Sequence, residues 1–184
     1  MQSEKSRMLA GELYNPLDAQ LSAERVRAEQ LCRMLNATEP CDASKRAQIL
    51  AELLGAASGA TVRPPFFCDY GYNIRLGANV YFNFNCVVLD VMPVVIGSNA
   101  LFGPAVQIYT ALHPEKASER AGRLEFARPV TIGDDVWVGG GAILCPGVEI
   151  GARCVIGAGS IVVRSIPERV FAAGNPCRVI RALE

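Results

Sequence analysis

The sequence predicts an all-β solenoid built from six-residue repeats and preceded by a helical segment. Three features point there. An aliphatic residue returns every six positions from Ile132 to Val162, the same phase reappears upstream at Ile96, Phe102 and Ile108, and the composition shifts near residue 60 toward Val, Ile, Gly, Asn and Pro.

Residues 1–60 read as the helical segment. Ser22 is suited to cap a helix containing Val26, Leu31, Met34 and Leu35, and Asp42 to cap another containing Ile49, Leu50, Leu53 and Leu54, with Gly55 and Gly59 as stops. Residues 61–184 then form the repeat domain with a C-terminal extension. Its first run is Leu76-Gly, Phe82 and Val88, displaced from the next by two extra residues around Met92-Pro93. The second run is Ile96-Gly, Phe102-Gly and Ile108. The third is Ile132-Gly, Val138-Gly, Leu144, Ile150-Gly, Ile156-Gly and Val162, with small or compact residues four places on at Val136, Ala142, Val148, Cys154 and Ser160. Side chains six apart on a helix diverge by about 240°, whereas on a strand they share a face, so the period excludes helix. A six-residue strand-and-turn unit cannot bury its apolar face alone, and successive units must stack with the aliphatic residues inside. Glycine after the aliphatic position suits a tight bend at each corner. The phase is interrupted at about residues 109–129, which predicts a protruding polar loop, and loops of that length in compact arrays are commonly functional.

Composition narrows the function. The chain has 184 residues, is 51% hydrophobic, and carries 18 basic against 18 acidic side chains. That balance, without a Lys/Arg cluster, argues against nucleic acid or an anionic membrane as the main partner and favours a neutral ligand. The N-terminal stretch has no apolar core of a signal peptide and no later run is long enough for a bilayer, so a cytoplasmic protein is expected. Seven cysteines without ligand spacing indicate neither a disulfide framework nor a metal site.

The repeats resemble the [Leu/Ile/Val]-Gly-x-x-x-x signature of left-handed parallel β-helix acyltransferases. Within that class, Met8-Leu-Ala-Gly-Glu-Leu-Tyr14, Cys68-Asp-Tyr-Gly-Tyr-Asn73, Pro129-Val-Thr-Ile-Gly133, Val136-Trp-Val-Gly139, Pro146-Gly-Val148 and Ala173-Gly-Asn-Pro-Cys-Arg178 resemble the maltose and galactoside O-acetyltransferases. The resemblance implies a left-handed parallel β-helix, a homotrimer, and acetyl transfer from acetyl-CoA to a sugar hydroxyl without a metal. It also implies roles for individual residues. His113, the sole histidine, stands in a Thr-x-x-His-Pro loop as the catalytic base, and imidazole is the side chain suited to taking a hydroxyl proton near neutrality. Asn83 falls at the reaction centre, and Asp69 and Tyr81 fall at acceptor-binding positions. Asp90 is a further acceptor candidate, although the galactoside pattern has a second acid where Val91 stands. That pattern's N-terminal acid aligns with Pro16, with Asp18 nearby as a substitute. Glu125, in the same loop, is read as orienting the imidazole, as binding sugar hydroxyls, or as a solvated loop charge. Coenzyme A contacts are implied at Gly140, Ala158, Val163, Arg164, Arg178 and Arg181. The triplet Gly139-Gly-Gly141 leaves a low surface for pantetheine, and the arginines supply cations for phosphates.

Three other functions compete with this reading. The γ-type carbonic anhydrases share the fold but bind zinc through three histidines, which a single histidine excludes. A non-catalytic β-helix protein has no need of a polar loop, a pantetheine groove and C-terminal arginines together. An acetyltransferase for another hydroxyl acceptor, such as an antibiotic or a lipo-oligosaccharide, remains the main alternative, because fold and cofactor site do not specify the acceptor.

Overall fold

A computed structural model of the chain describes residues 2–56 and 59–184. Helix α1 (Glu4–Leu9) starts at Ser3, whose hydroxyl accepts from the amide of Ser6. Helix α2 (Ala19–Asn36) begins one turn before the expected cap at Ser22. The Asp18 carboxylate accepts from the amides of Gln20 and Leu21, so Ser22 lies inside the first turn. Its buried face is Leu21, Ala28, Leu31, Cys32 and Leu35, whereas Val26 and Met34 point outward. Helix α3 (Ala43–Leu54) follows Asp42 as expected, but that carboxylate turns back to the amide of Glu39 instead of capping the helix. Gly55 closes α3 with a left-handed φ of 73°. No helix among the described residues is long and apolar enough to cross a membrane.

From Thr61 the chain winds into a three-sided parallel solenoid. One side is the sheet of Thr61–Val62, Tyr81–Phe82, Leu101–Phe102, Trp137–Val138, Val155–Ile156 and Val170–Ala173, closed by antiparallel Arg178–Ala182. The second side holds Ile74–Leu76, Val94–Ile96, Val130–Ile132 and Glu149–Ile150. The third holds Phe66–Cys68, Cys86–Leu89, Gln107–Tyr109, Ile143–Leu144 and Ile161–Val162.

Register explains the period. Ile132 pairs with Ile150, Val138 with Ile156 and Leu144 with Val162, so three hexapeptides make one coil of eighteen residues. Leu76 pairs with Ile96 twenty residues on, which absorbs the two extra residues at Met92-Pro93. Ile96 pairs directly with Ile132, so the interruption is one coil's length of chain that leaves the solenoid and returns in phase. The inward aliphatic residues are buried, except Leu76, which is half-buried at the first coil. Each complete burial contributes roughly 1.5–3 kcal/mol. Phe82 stacks on Phe102 at 4.4 Å, and helices α2 and α3 close the open end by packing Leu31, Leu35, Leu50 and Leu53 into the same core.

The expected role of the repeat glycines is corrected. The glycine after each aliphatic residue is not the bend. A Cβ on Gly133 would meet the amide nitrogen of Ala152 at 2.6 Å, so glycine there permits one coil to lie directly on the next. The left-handed residue comes three places after the aliphatic one, at Asn79, Asn85, Asn99, Ala105, Asp135, Gly141, Gly147, Arg153 and Gly159. Asparagine and aspartate tolerate that conformation, which accounts for the Asn content of the early coils.

Candidate active site

The excursion at 109–129 is a β-hairpin. Ala111–Leu112 pairs antiparallel with Phe126–Ala127, and a short helix α4 (Ala117–Arg120) forms its tip. Buried Thr110 anchors the base, its hydroxyl donating to the carbonyl of Leu89 and accepting from the amide of Met92. Leu112 opposes Phe126, so the next pair along the ladder is His113 and Glu125, placed face to face where Pro114 ends the pairing. Nε2 of His113 is 4.0 Å from Oε1 of Glu125, too long for a hydrogen bond, and the imidazole is 56% exposed. Glu125 is held firmly from behind. Its backbone exchanges two hydrogen bonds with Tyr14, and its Oε2 accepts from the Tyr14 hydroxyl at 2.7 Å.

His113 and Glu125 open onto a cavity of about 370 Å³ between the hairpin, the first coils and the N-terminal segment. Asp69, Tyr70 and Arg25 form its polar wall, and Leu17, Leu89 and Val91 its apolar one. Arg25 reaches from α2 to donate to the Tyr70 hydroxyl at 2.8 Å and to the carbonyl of Pro16 at 2.6 Å. Burial pushes the Asp69 carboxyl up to about 6, with the Arg25 guanidinium pulling it down and Glu125 raising it. Burial also pushes the Tyr70 hydroxyl up to about 12 and, with the Glu125 hydrogen bond, raises Tyr14 well above the ordinary tyrosine value. The site therefore offers a base, two carboxyl groups, a cation and an apolar shelf, a combination suited to hydroxyls on a partly apolar ring.

The predicted residues divide into groups. His113, Glu125 and Asp69 share this cavity. Asp90 does not reach it. Its side chain is completely buried, Oδ1 accepting from the amides of Asp69 and Tyr70 and Oδ2 from that of Asn73. Asp90 thus shapes the turn that presents Asp69, and burial raises its carboxyl to about 7 against those hydrogen bonds. Asp18 is likewise occupied, as the cap of α2, and Pro16 and Val91 line the cavity in its place. Tyr81 and Asn83 lie on another side of the solenoid. Tyr81 points outward beside Leu101 in the first sheet, and Asn83 accepts from Arg63 at 3.4 Å and from the amide of Phe84. One chain does not bring them to His113. Arg25 carries no motif in the sequence, being a helical arginine in a mixed charge pattern. Only its packing against Tyr70 distinguishes it.

At the C-terminal end, Gly139, Gly140 and Gly141 turn the corner beside Ala158. Added Cβ atoms would meet the Ala158 amide at 2.5 Å from Gly139 and the Pro104 carbonyl at 3.0 Å from Gly140. Coil stacking alone therefore demands glycine at Gly139. Val163, Arg164, Arg178 and Arg181 are exposed at the same end, and none of these arginines pairs with a carboxylate among the described residues. Three cations without acidic partners remain available to an anion. No cluster of His, Cys, Asp and Glu among the described residues is arranged to hold a metal ion.

Comparison with known proteins places these features in a family. Residues 7–59 match the maltose acetyltransferase hexapeptide capping motif, and residues 129–164 match six bacterial transferase hexapeptide repeats. Nodulation protein L of Rhizobium leguminosarum bv. viciae is 51% identical over 178 residues, covering 96% of this chain and 94% of that protein. The crystal structure of a maltose O-acetyltransferase from Clostridium difficile 630 superposes with a TM-score of 0.97 at 45% identity, covering 99% of this chain and 98% of that one. A galactoside acetyltransferase in complex with coenzyme A superposes with a TM-score of 0.89 at 34% identity, covering 100% of this chain and 92% of that one. The solenoid is accordingly the left-handed parallel β-helix of hexapeptide-repeat proteins.

Proposed function

Because the chain belongs to the hexapeptide-repeat acetyltransferases of the maltose and galactoside O-acetyltransferase family, we propose that it moves acetyl from acetyl-CoA to a sugar hydroxyl, with His113 as general base. The observation that carries this reading is the cavity in which His113 faces Glu125, Asp69 and Arg25. The acceptor hydroxyl gives its proton to the imidazole as its oxygen attacks the thioester carbonyl. Glu125, pinned by Tyr14, stabilises the imidazolium that forms, and the oxyanion takes a backbone N–H and the Asn83 amide; as the tetrahedral centre collapses, the C–S bond breaks and the coenzyme A thiolate leaves with the imidazolium proton. Asp69 and Arg25 orient the acceptor through its other hydroxyls. Cytoplasmic action suits an enzyme that draws on acetyl-CoA.

Asn83 and Tyr81 enter this scheme from a neighbouring chain. Tyr81, Leu101, Trp137 and Val155 follow one another on the outer face of the first sheet, with Leu101 and Trp137 47% and 54% exposed. An apolar ladder of this kind is suited to a partner. A cyclic homotrimer that lays it against the next chain's hairpin would complete each site with the neighbour's Asn83. Sedimentation in dilute buffer is expected to give three chains, and a fully active monomer rules the shared site out.

Acetyl-CoA supplies the acetyl group as a thioester, and the residues at its proposed seat are Gly140, Ala158, Val163, Arg164, Arg178 and Arg181. Arg178→Ala is expected to raise the KM for acetyl-CoA about tenfold, as loss of one charge-assisted phosphate contact does, while acceptor KM holds. Unchanged KM and unchanged salt dependence would remove Arg178 from the phosphate site. The acceptor itself is tested by incubating the enzyme and acetyl-CoA with a panel of mono- and disaccharides, antibiotics and lipo-oligosaccharides and following thiol release. Turnover confined to non-sugar alcohols overturns the sugar reading while leaving the acetyltransferase chemistry in place.

A further inference from the structure

We propose that Cys32 and Cys68 form an oxidation site at which a small hydroperoxide converts two thiols into a reversible disulfide, tying α2 to the first coil and altering acceptor binding. The two sulfurs stand 3.7 Å apart, one on the buried face of α2 and the other at the end of Phe66–Cys68. A disulfide needs about 2.05 Å, so closure asks for roughly 1.7 Å of approach, and whatever part of it side-chain rotation does not supply moves the chain at Cys68. The pair is held in place. Four residues along α2 from Cys32, Asn36 donates to the carbonyl of Phe66 at 3.0 Å and accepts from its amide at 2.8 Å, clamping the helix to the strand that carries Cys68.

An oxidant has a route in. Cys68 lines a second cavity of about 360 Å³, shared with Arg25 and Asp69. The hydrogen bond from Cys68 holds the Cys32 thiol below the usual range, and the same bond together with burial raises Cys68. Cys86, Cys145, Cys154 and Cys177 are raised by burial, and exposed Cys41 lies beside the carboxylate of Asp42, at 3.9 Å. No other two of the seven cysteines share a sulfur contact among the described residues.

The chemistry balances with the hydroperoxide as sole oxidant. Cys68, which lines the cavity, loses its proton to solvent, and its thiolate attacks the outer peroxide oxygen. The O–O bond breaks, the alkoxide leaves and takes a proton from solvent, and Cys68 becomes a sulfenic acid. Cys32 then attacks that sulfur. The S–S bond forms, the S–O bond breaks, and the departing hydroxide leaves as water with the Cys32 proton. Two sulfurs are oxidised and one peroxide is reduced to an alcohol and water. Because Asp69 follows Cys68 directly, closure pulls on the carboxylate that faces Arg25 across the acceptor cavity.

The test uses the full chain and hydrogen peroxide. Digestion without reductant is expected to yield a linked Cys32–Cys68 peptide two hydrogens lighter than its parts, removed by dithiothreitol and absent from Cys32→Ser and Cys68→Ser. The thermal midpoint of oxidised wild type is expected to rise by several degrees, because the cross-link closes a loop of over thirty residues, and neither variant should show the rise. Oxidation that stops at sulfinic acid on single cysteines, or that links chains through Cys41, overturns the site. A kinetic arm rests on the proposed function: acceptor KM should change at least threefold on oxidation, with acetyl-CoA KM constant. A linked peptide with unchanged acceptor KM overturns the coupling to the cavity, and the peptide map reads the disulfide independently of what the acceptor is.

Discussion

His113→Ala is expected to lower kcat by about 10²- to 10⁴-fold, the usual contribution of a positioned general base, with little change in either KM. The geometry supports a loss confined to the chemical step. The imidazole is exposed at the end of a two-strand ladder and packs into no core, so its removal leaves no cavity and no unpaired buried group. The hairpin keeps its anchors, because Thr110 and the Tyr14–Glu125 bridge do not involve the ring. Folding and assembly should therefore survive, as circular dichroism and sedimentation of the variant would report. With the chain's sole histidine gone, any loss of activity on acidification that comes from imidazole protonation should vanish too.

A direct attack in a ternary complex needs no acetyl-enzyme. Burial raises both Cys86 and Cys145, so neither is poised as a thiolate, and Cys86→Ala and Cys145→Ala should leave kcat within a few-fold. Two results count against the base assignment: a His113→Ala enzyme within a few-fold of wild type, or an acetylated cysteine trapped from acetyl-CoA when no acceptor is present. The companion variant Glu125→Gln separates positioning from proton transfer. It keeps the hydrogen bond from Tyr14 but removes the charge facing the imidazole, so its loss should be smaller than that of His113→Ala.

The solenoid was legible in the sequence because its core repeats. Ile132 to Val162 sit at the same point of successive hexapeptides, and register turns that spacing into stacked coils. Even the excursion was visible, since Ile108 and Ile132 keep phase across it. What the period does not encode is the work of each glycine: Gly133 is required by the Ala152 backbone above it, a contact between residues a full coil apart. The cap at Asp18 was missed for a local reason, since Ser22 also has a capping side chain and only the backbone course chooses between them. The site divides in the same way. His113 and Glu125 announce themselves as polar residues in an interrupting loop, whereas Arg25 contributes through a helix packed against Tyr70 forty-five residues on. Asp90 reads on the sequence as an acceptor candidate, yet its carboxylate is buried inside the turn and accepts from the amides of Asp69, Tyr70 and Asn73.

Asp90→Ala is expected to cost about 3–5 kcal/mol by leaving the amides of Asp69, Tyr70 and Asn73 without an acceptor. Asp90→Asn separates hydrogen bonding from charge. Its amide oxygen can keep the two bonds at 3.0 and 2.9 Å, and only the 3.3 Å contact with Asn73 faces a donor. The charge itself has a pH signature of definite sign. Burial raises the folded-state carboxyl of Asp90 to about 7, above the ordinary value of 3.8, so between these pH values the folded chain holds a proton that the unfolded chain has lost. Stability from this group is therefore fully present below about pH 4 and is lost as pH rises through 7. Asp69, raised to about 6, adds in the same direction. Denaturant midpoints of the wild type should fall between pH 5 and 8, and the fall should be shallower in Asp90→Asn. The turn also presents Asp69 and Tyr70 to the cavity, so the acceptor KM of Asp90→Ala should rise well before its acetyl-CoA KM does. A variant with wild-type stability, or with the pH slope of the wild type in Asp90→Asn, would show that the three amides and the buried charge are satisfied elsewhere.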